Sequence, residues 1–358
     1  MTPSVPIARR SKTLSSSLGL GEKLFASSDE RKLAQAIDSG LELVEAGLLE
    51  QMSFTDDLAD VTSRYLLDAG GKRIRPVLAL LTAQLGTGNN ANVITAAEAI
   101  EMTHLASLYH DDVMDEAQVR RGVPSAQTVW GNSVAILTGD LLFARASKLV
   151  AGMGERAILL QAETFERLCL GQLHETIGPR PGEDPIEHYL QVLADKTGSL
   201  IATAAQVGLM FSDAPEEYVA PVVQFGEKIG VAFQLIDDVI DLAPRPDDTG
   251  KVPGTDLRAG VATLPLLYLR QLAQSDGSAA ALLQRIDHDV NSELPLEEGS
   301  YEFAEAIAEL REHEVTRMTL AEAHRWSGDA VAALAPLPDG PVKKALTRFA
   351  GTIVDRSN

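Results

Sequence analysis

The sequence predicts an all-α fold in a single domain. Three observations carry this reading. From about Asp29 onward Ala, Leu, Glu and Gln dominate, residues that lose little on entering a helix. Runs rich in Val, Ile and Thr at period two are absent. Short turn-rich clusters cut the chain into helix-length pieces, and no long linker divides it.

Taken in order, residues 1–28 read as a flexible, Ser-rich lead. Arg9, Arg10 and Lys12 precede TLSSSLGLGEK, which is too polar for the core of a signal peptide. Residues 29–358 form the domain. Breaks are expected at Gly70-Gly71, at GTGNN (residues 86–90), at RRGVPS (residues 120–125) and at GPRPGEDP (residues 178–185). Others fall at SDAPEE (residues 212–217), APRPDDTGKVPG (residues 243–254) and PLPDGP (residues 336–341). Within 222–242, Phe225, Ile229, Ala232, Phe233, Ile236 and Ile240 make an apolar stripe, with Gln234, Asp238 and Asp241 on a neighbouring face. Pro244 and Pro246 then end the helix. Val93 to Asp112 predicts a second long helix, apolar until its C-terminal end.

Length and composition bound the function. A chain of 358 residues can bury a substantial core. Its net charge of −20 argues against a nucleic-acid surface, which needs clustered Lys and Arg. Phosphorylated substrates stay open, because bound metals invert local charge. The single cysteine, Cys169, forms no intramolecular disulfide and no Cys-based zinc site, which fits a reducing cytoplasm. It is expected to be a small buried apolar residue. No uninterrupted apolar run approaches the ~20 residues of a membrane span.

The pattern D-D-x-x-D occurs three times: at Asp56, Asp57 and Asp60; at Asp111, Asp112 and Asp115; and at Asp237, Asp238 and Asp241. Residues four apart on a helix are offset by roughly 40°, and neighbours by about 100°, so each trio crowds one side. In so acidic a chain, such a pattern is by itself usually a solvated face. The copy at Asp56 follows Ser53 and Thr55 and reads as the acidic first turn of a helix, where carboxylates suit the macrodipole. The other two copies end apolar helices, the wrong end for anions. Each is followed by basic residues in a loop, Arg120 and Arg121 after the first and Lys251 after the second. A bound cation would favour this placement, and Mg²⁺, which takes a few carboxylates and completes its shell with water and phosphate, suits it.

Six segments in fixed order resemble the trans-polyprenyl diphosphate synthase family, over nearly all of the chain from about residue 30. They are GGKRIRP (residues 70–76), HLASLYHDDVMDEAQVRRGVPS (residues 104–125), Gly139-Asp140, DKTGSL (residues 195–200), FQLIDDVIDL (residues 233–242) and GKVPGTDL (residues 250–257). The resemblance implies an isoprenoid-synthase helical bundle with a central cavity. It also implies Mg²⁺-dependent, head-to-tail condensation of isopentenyl diphosphate with an allylic diphosphate, with roughly three Mg²⁺ ions per site. In that reaction the allylic C–O bond ionises to a carbocation and diphosphate, the isopentenyl double bond attacks the cation, and a proton is lost to the departing diphosphate.

Residue by residue, the resemblance assigns metal ligation to Asp111, Asp115 and Asp237. Asp112, Asp238 and Asp241 ligate or hold metal-bound waters. Arg120, Lys196 and Lys251 match positions that bind the allylic diphosphate, with Thr197 and Gln234 beside them. Lys72, Arg75, His104 and Arg121 match the isopentenyl diphosphate site, while Arg73 reads as a solvated side chain. Thr255 stands where many relatives carry Lys.

Product length follows from the helix carrying the first trio. Ser107 and Ala106, four and five residues before Asp111, are small where short-chain members often place an aromatic floor. Met102, Thr103 and Ala99 come next, and Phe143 is a candidate deeper stop. One turn rises about 5.4 Å, close to one isoprene unit, so a medium- or long-chain product of roughly C30 to C50 is expected, with C20 as the alternative. The resemblance also implies a homodimer. A terpene cyclase is disfavoured by the second DDVID and by GGKRIRP. A non-catalytic partner subunit of a heteromeric synthase is disfavoured by two intact Asp trios.

Overall fold

The computed structural model describes residues 27–243, 253–258, 260–290 and 301–357. The fold is all-α, as expected. Its helices are α1 (Ser28–Gln51), α2 (Asp57–Asp68), α3 (Ile74–Ala83), α4 (Ala91–Met114), α5 (Ala126–Trp130), α6 (Asn132–Ala151), α7 (Glu155–Ile177) and α8 (Pro185–Leu193). There follow α9 (Ser199–Phe211), α10 (Val219–Asp241), α11 (Thr255–Arg258), α12 (Leu264–Leu272), α13 (Gly277–Val290), α14 (Tyr301–Glu312), α15 (Glu314–Ala333) and α16 (Pro341–Val354). The only strands among the described residues are β1 (Val119–Arg120) and β2 (Val123–Pro124), an antiparallel pair.

The break expected at RRGVPS is present, and this hairpin forms it. Arg121 and Gly122 both have positive φ, 54° and 78°, the backbone of a tight two-residue hairpin. The strands are too short to show a period of two. The expected N-terminal lead lies outside the described residues up to 26. Ser27 already caps α1, accepting from Glu30 N while the Glu30 side chain accepts from Ser27 N, a capping box. The helix therefore opens at Ser28, one residue inside the predicted lead. The expected stop at Pro244 and Pro246 lies outside the described residues.

The chain groups into two compact units. The first comprises residues 1–166, 200–226 and 333–349. Here α4 packs most extensively against α6, then against α3 and α1. Small residues permit close approach. A Cβ at Gly208 of α9 would collide with the Ala79 carbonyl and Thr82 hydroxyl of α3, and Thr82 donates to Ala205 O at 2.7 Å.

The second unit comprises residues 167–199, 227–332 and 350–358. One apolar cluster in it joins Leu257, Leu266, Leu269, Leu282, Ile286, Phe303 and Leu310 from α11 to α14. Gly198 and Gly230 bring the turn before α9 backbone-to-backbone against α10.

Helix α10 is buried more widely than the predicted stripe. Phe225, Ile229, Ala232 and Ile236 are buried, but so are Val231, Leu235 and Val239. A stripe model assumes one solvent face, and this helix has little. Residues Glu216–Asp241 are long and apolar enough to cross a membrane, yet 56% of the apolar window is buried, as in a core helix. Cys169 is corrected outright. It is exposed on α7, on the outward side that also carries Leu170 and Leu173.

Candidate active site

The first Asp trio ends α4. Asp111 lies in the last turn, and Asp115 is the residue that caps it, its N–H donating to Asp111 O at 2.8 Å. Asp112 is fully buried, and Arg120 of β1 donates to its Oδ1 at 2.6 Å. Burial pushes the Asp112 carboxyl up, and Arg120 pulls it back. Its other oxygen, Oδ2, is buried with no hydrogen-bond partner. A buried carboxylate oxygen left bare is costly, so it invites a cationic or protic partner.

Behind this trio the same unit gathers guanidinium groups. The loop between α2 and α3 turns through Gly70 and Gly71, with φ of 98° and 149°, and then Arg73 at φ 48°. A Cβ at Gly71 would meet the guanidinium groups of Arg73 and Arg121, so glycine here is a requirement of space as well as of backbone. Arg121 reaches back from the hairpin to donate to Leu66 O at 2.7 Å and to Gly70 O. Burial brings Arg121 down to about 10. Arg75 is also lowered by burial, with Glu101 and Asp111 opposing the shift. His104 is pushed well below its ordinary value by burial and by the surrounding arginines Arg75, Arg121, Arg120 and Arg73. It therefore stands as neutral imidazole with a donor to offer. Lys72 is exposed in the same loop.

Arg73 corrects the sequence reading. It is 5% exposed, its Nε lies 2.5 Å from Glu45 Oε1, and its Nη1 lies 3.2 Å from Glu101 Oε1. Burial opposes its charge, but Glu101 and Glu45 outweigh that and raise its pKa.

The second trio ends α10 in the other unit. Asp237 Oδ1 lies 3.2 Å from Arg356 Nη2. The Arg356 guanidinium also covers the Phe233 ring at 4.7 Å. Asp238 Oδ2 accepts from the Tyr189 hydroxyl at 2.7 Å, and Asp241 Oδ2 accepts from Asp256 N at 3.1 Å. Burial pushes Asp238 up to about 8, and the Tyr189 hydrogen bond only partly offsets this. Gln234 is half-buried one turn before Asp238. Lys196 and Thr197 lie in the wide turn Ala194–Gly198, where Lys196 Nζ is 2.5 Å from Glu175 Oε2. Lys251 lies outside the described residues. Thr255 opens α11.

Among the described residues no three His, Cys, Asp or Glu side chains are drawn together into a closed cation cage. The donors nevertheless fit a hard divalent ion. All are carboxylate oxygens, one of them is buried and unsatisfied, and an ion that keeps waters and substrate phosphates needs only a few protein ligands.

The Asp56 copy has the structural role expected of it. Asp56 caps α2, its Oδ1 accepting from Ala59 N at 2.9 Å, and Asp60 Oδ1 accepts from Phe54 N at 3.0 Å.

A small, partly open apolar pocket lies farther along α4, in the first unit. Ala96, Ala99, Ile100 and Thr103 line it from α4, and Met153 and Phe211 are its large wall residues. Ser107 continues the same helical row toward Asp111, while Met102 is fully buried and does not line the cavity. Ala106 is fully buried, with its carbonyl beside Gly139. Phe143 packs on His110 and Phe165, with ring centroids 5.6 and 4.4 Å away, and does not line the cavity.

Sequence reasoning missed Tyr189, Glu101, Glu45 and Arg356. None carries a local signal. Each meets its partner only through packing.

A helical fold with two helix-terminal Asp trios, one backed by buried guanidinium groups and an apolar cavity, defines a class of diphosphate-handling enzymes. The polyprenyl synthetase family model matches residues 56–297. The chain is 41% identical to the nonaprenyl diphosphate synthase of Mycobacterium tuberculosis (strain ATCC 25618 / H37Rv), covering 97% of this chain and 99% of that protein. It is similar to the crystal structure of a decaprenyl diphosphate synthase from Rhodobacter capsulatus (TM-score 0.79, 31% identity, 92% and 99% of the two chains). It is also similar to that of geranylgeranyl pyrophosphate synthase from Corynebacterium glutamicum, complexed with calcium and isoprenyl diphosphate (TM-score 0.77, 39% identity, 93% and 99%). The chain belongs to the polyprenyl synthetase family. It is a polyprenyl diphosphate synthase, a prenyltransferase.

Proposed function

We propose that this enzyme condenses isopentenyl diphosphate with an allylic diphosphate, head to tail, to give a medium- or long-chain all-trans polyprenyl diphosphate. The observation that carries this reading is the layout of α4. Its C-terminal carboxylates sit beside a guanidinium cluster, and its earlier turns line an apolar cavity.

Lys72, Arg75, His104 and Arg121 bind the isopentenyl diphosphate, as cations and a neutral imidazole facing a dianion. Arg120, Lys196, Thr197, Gln234 and Lys251 bind the allylic diphosphate. Asp111, Asp115 and Asp237 hold Mg²⁺, with Asp112, Asp238 and Asp241 as ligands or holders of its waters. When bound, the metal supplies positive charge to the departing diphosphate. Apolar walls keep water from the allylic cation, so that the isopentenyl double bond captures it first. The calcium and isoprenyl diphosphate bound to the similar C. glutamicum enzyme support this class of ligand.

Residues 29–358 act as one synthase domain, since the family model draws residues from both units. The enzyme works as a cytoplasmic homodimer. Exposed apolar rows support the dimer, with Leu137 and Leu141 on α6 and Leu159, Leu173 and Ile177 on α7. Such rows mark association surfaces.

Thr103, Ala99 and Ala96 put small side chains on an apolar pocket more than two turns from Asp111, which supports a product beyond C20 by the rise of roughly one isoprene unit per turn. The C20 product is the second reading, favoured by similarity to the C. glutamicum enzyme. The test is incubation of the purified chain alone with Mg²⁺, farnesyl diphosphate and labelled isopentenyl diphosphate, followed by chromatography of the products. Incorporation into chains of roughly C30 to C50 is expected. A C20 product would select the second reading. Incorporation only after adding another subunit would make this chain a partner rather than a catalyst.

A further inference from the structure

The basic residues of GGKRIRP have different surroundings. Lys72 is exposed and Arg75 half-buried, whereas Arg73 is 5% exposed. Its guanidinium meets Glu45 and Glu101 and donates to Gly70 O at 3.3 Å and Leu67 O at 3.2 Å. A guanidinium has five N–H donors, and these contacts occupy most of them. Arg73 thus anchors the loop rather than receiving a ligand. Its left-handed backbone, φ 48°, turns the side chain inward at the start of α3.

Glu101 is 2% exposed and lies three residues before His104 on α4, on the same face. Its charge also acts on Arg75 and Arg121. Without it, Arg73 and Arg75 would face Arg121 with Glu45, Asp111 and Asp112 as the remaining counter-charges, and Arg73 would keep only the more exposed Glu45 as an ion-pair partner.

We propose that Glu101 and Arg73 are positioning residues for isopentenyl diphosphate, a buried ion pair that holds residues 69–75 so that Lys72 and Arg75 face the substrate. This rests on the assignment of Lys72, Arg75, His104 and Arg121 to that substrate. Breaking such a pair from one side leaves an uncompensated buried charge, which the loop relieves by moving. Neutralising both sides removes that driving force.

The test uses the full chain with Glu101→Gln, Arg73→Met, the double variant and Arg75→Ala as reference. Steady-state kinetics are measured against each substrate, with calorimetric binding of isopentenyl diphosphate alone. For Glu101→Gln the KM for isopentenyl diphosphate is expected to rise about tenfold or more, with allylic KM and kcat within roughly threefold. The double variant is expected to be no worse than Glu101→Gln, because the two changes are coupled. A lower melting temperature with both KM values unchanged overturns the proposal, as does a parallel loss in both substrates. Should Glu101→Gln not fold, Glu45→Gln at the more exposed end of the network is expected to give a smaller shift of the same kind, and its absence overturns the proposal. If Arg75→Ala leaves isopentenyl diphosphate binding intact, the site assignment itself fails. If Arg75→Ala weakens binding and Glu101→Gln does not, only the positioning role fails.

Discussion

The Tyr189 hydroxyl of α8 donates to Asp238 Oδ2 of α10 across 2.7 Å, joining residues 49 apart in sequence. This contact fixes which way the middle carboxylate of the second trio points, in surroundings that disfavour its charge. Partners that hydrogen-bond a metal ligand orient it, and Asp238 is proposed to serve the metal. Tyr189→Phe is therefore expected to lower activity by roughly tenfold to a hundredfold and to raise the Mg²⁺ concentration needed for half-maximal rate. Rate measured across a Mg²⁺ titration checks this. An unchanged half-saturation point would assign Tyr189 to folding alone.

Two of the three D-D-x-x-D copies are expected to separate in a single comparison. Asp111→Asn removes charge at a proposed ligand of the metal that serves the leaving diphosphate, and should lower kcat by about a hundredfold or more. Asp56→Asn keeps a good capping side chain on α2 and should alter stability by only a few tenths of a kcal/mol, with kcat unchanged. Parallel kinetics and urea melts distinguish the two. Similar losses of kcat in both would contradict the division of roles.

Product length should respond to position along α4. Ser107→Phe, Thr103→Phe and Ala99→Phe place a ring at successive depths, each step about one turn or about 5.4 Å. The maximum product is expected to lengthen by roughly one isoprene unit per step in that order. Met102→Phe, off the cavity row, should cost stability through overpacking without setting a new length. A product ladder on chromatography reads all four.

Glu98 of α4 predicts a pH dependence of stability remote from the site. It is 7% exposed and faces Gly47 of α1, with Glu50 near it. Burial first, and the Glu50 charge second, push its carboxyl from 4.5 up to about 7. The folded chain keeps this proton where the unfolded chain has lost it. The contribution is thus fully present below about pH 4.5 and is lost as pH rises through about 7. Glu98→Gln should be the more stable form at pH 8, by on the order of 2 kcal/mol, and lose that advantage toward pH 4.5. Urea midpoints at both pH values check it. An offset independent of pH would show that Glu98 does not titrate in this window.

The helical class, most breaks and the carboxylate-bearing ends of α4 and α10 were legible because they depend on local chemistry. Periodicity, glycine and proline placement, and the macrodipole act within a few residues. The capping role of Asp56 was legible for the same reason. The β1–β2 hairpin was not, because two residues per strand carry no periodic signal. The burial of α10 on nearly all sides escaped a stripe analysis, and the exposure of Cys169 contradicted its apolar character.

The sequence by itself determined that this is an all-α prenyltransferase with two helix-terminal carboxylate trios. Only the tertiary structure decided that Arg73 is an anchor, that Asp112 answers to Arg120, and that Thr103 rather than Met102 lines the cavity. Arg73 and Glu101 stand 28 residues apart, and nothing local to either one names the other. Their meeting depends on how α4 packs beside the loop that begins α3. Packing sets which polar groups lose water, and burial is what turns an ordinary surface charge into one that must find a partner.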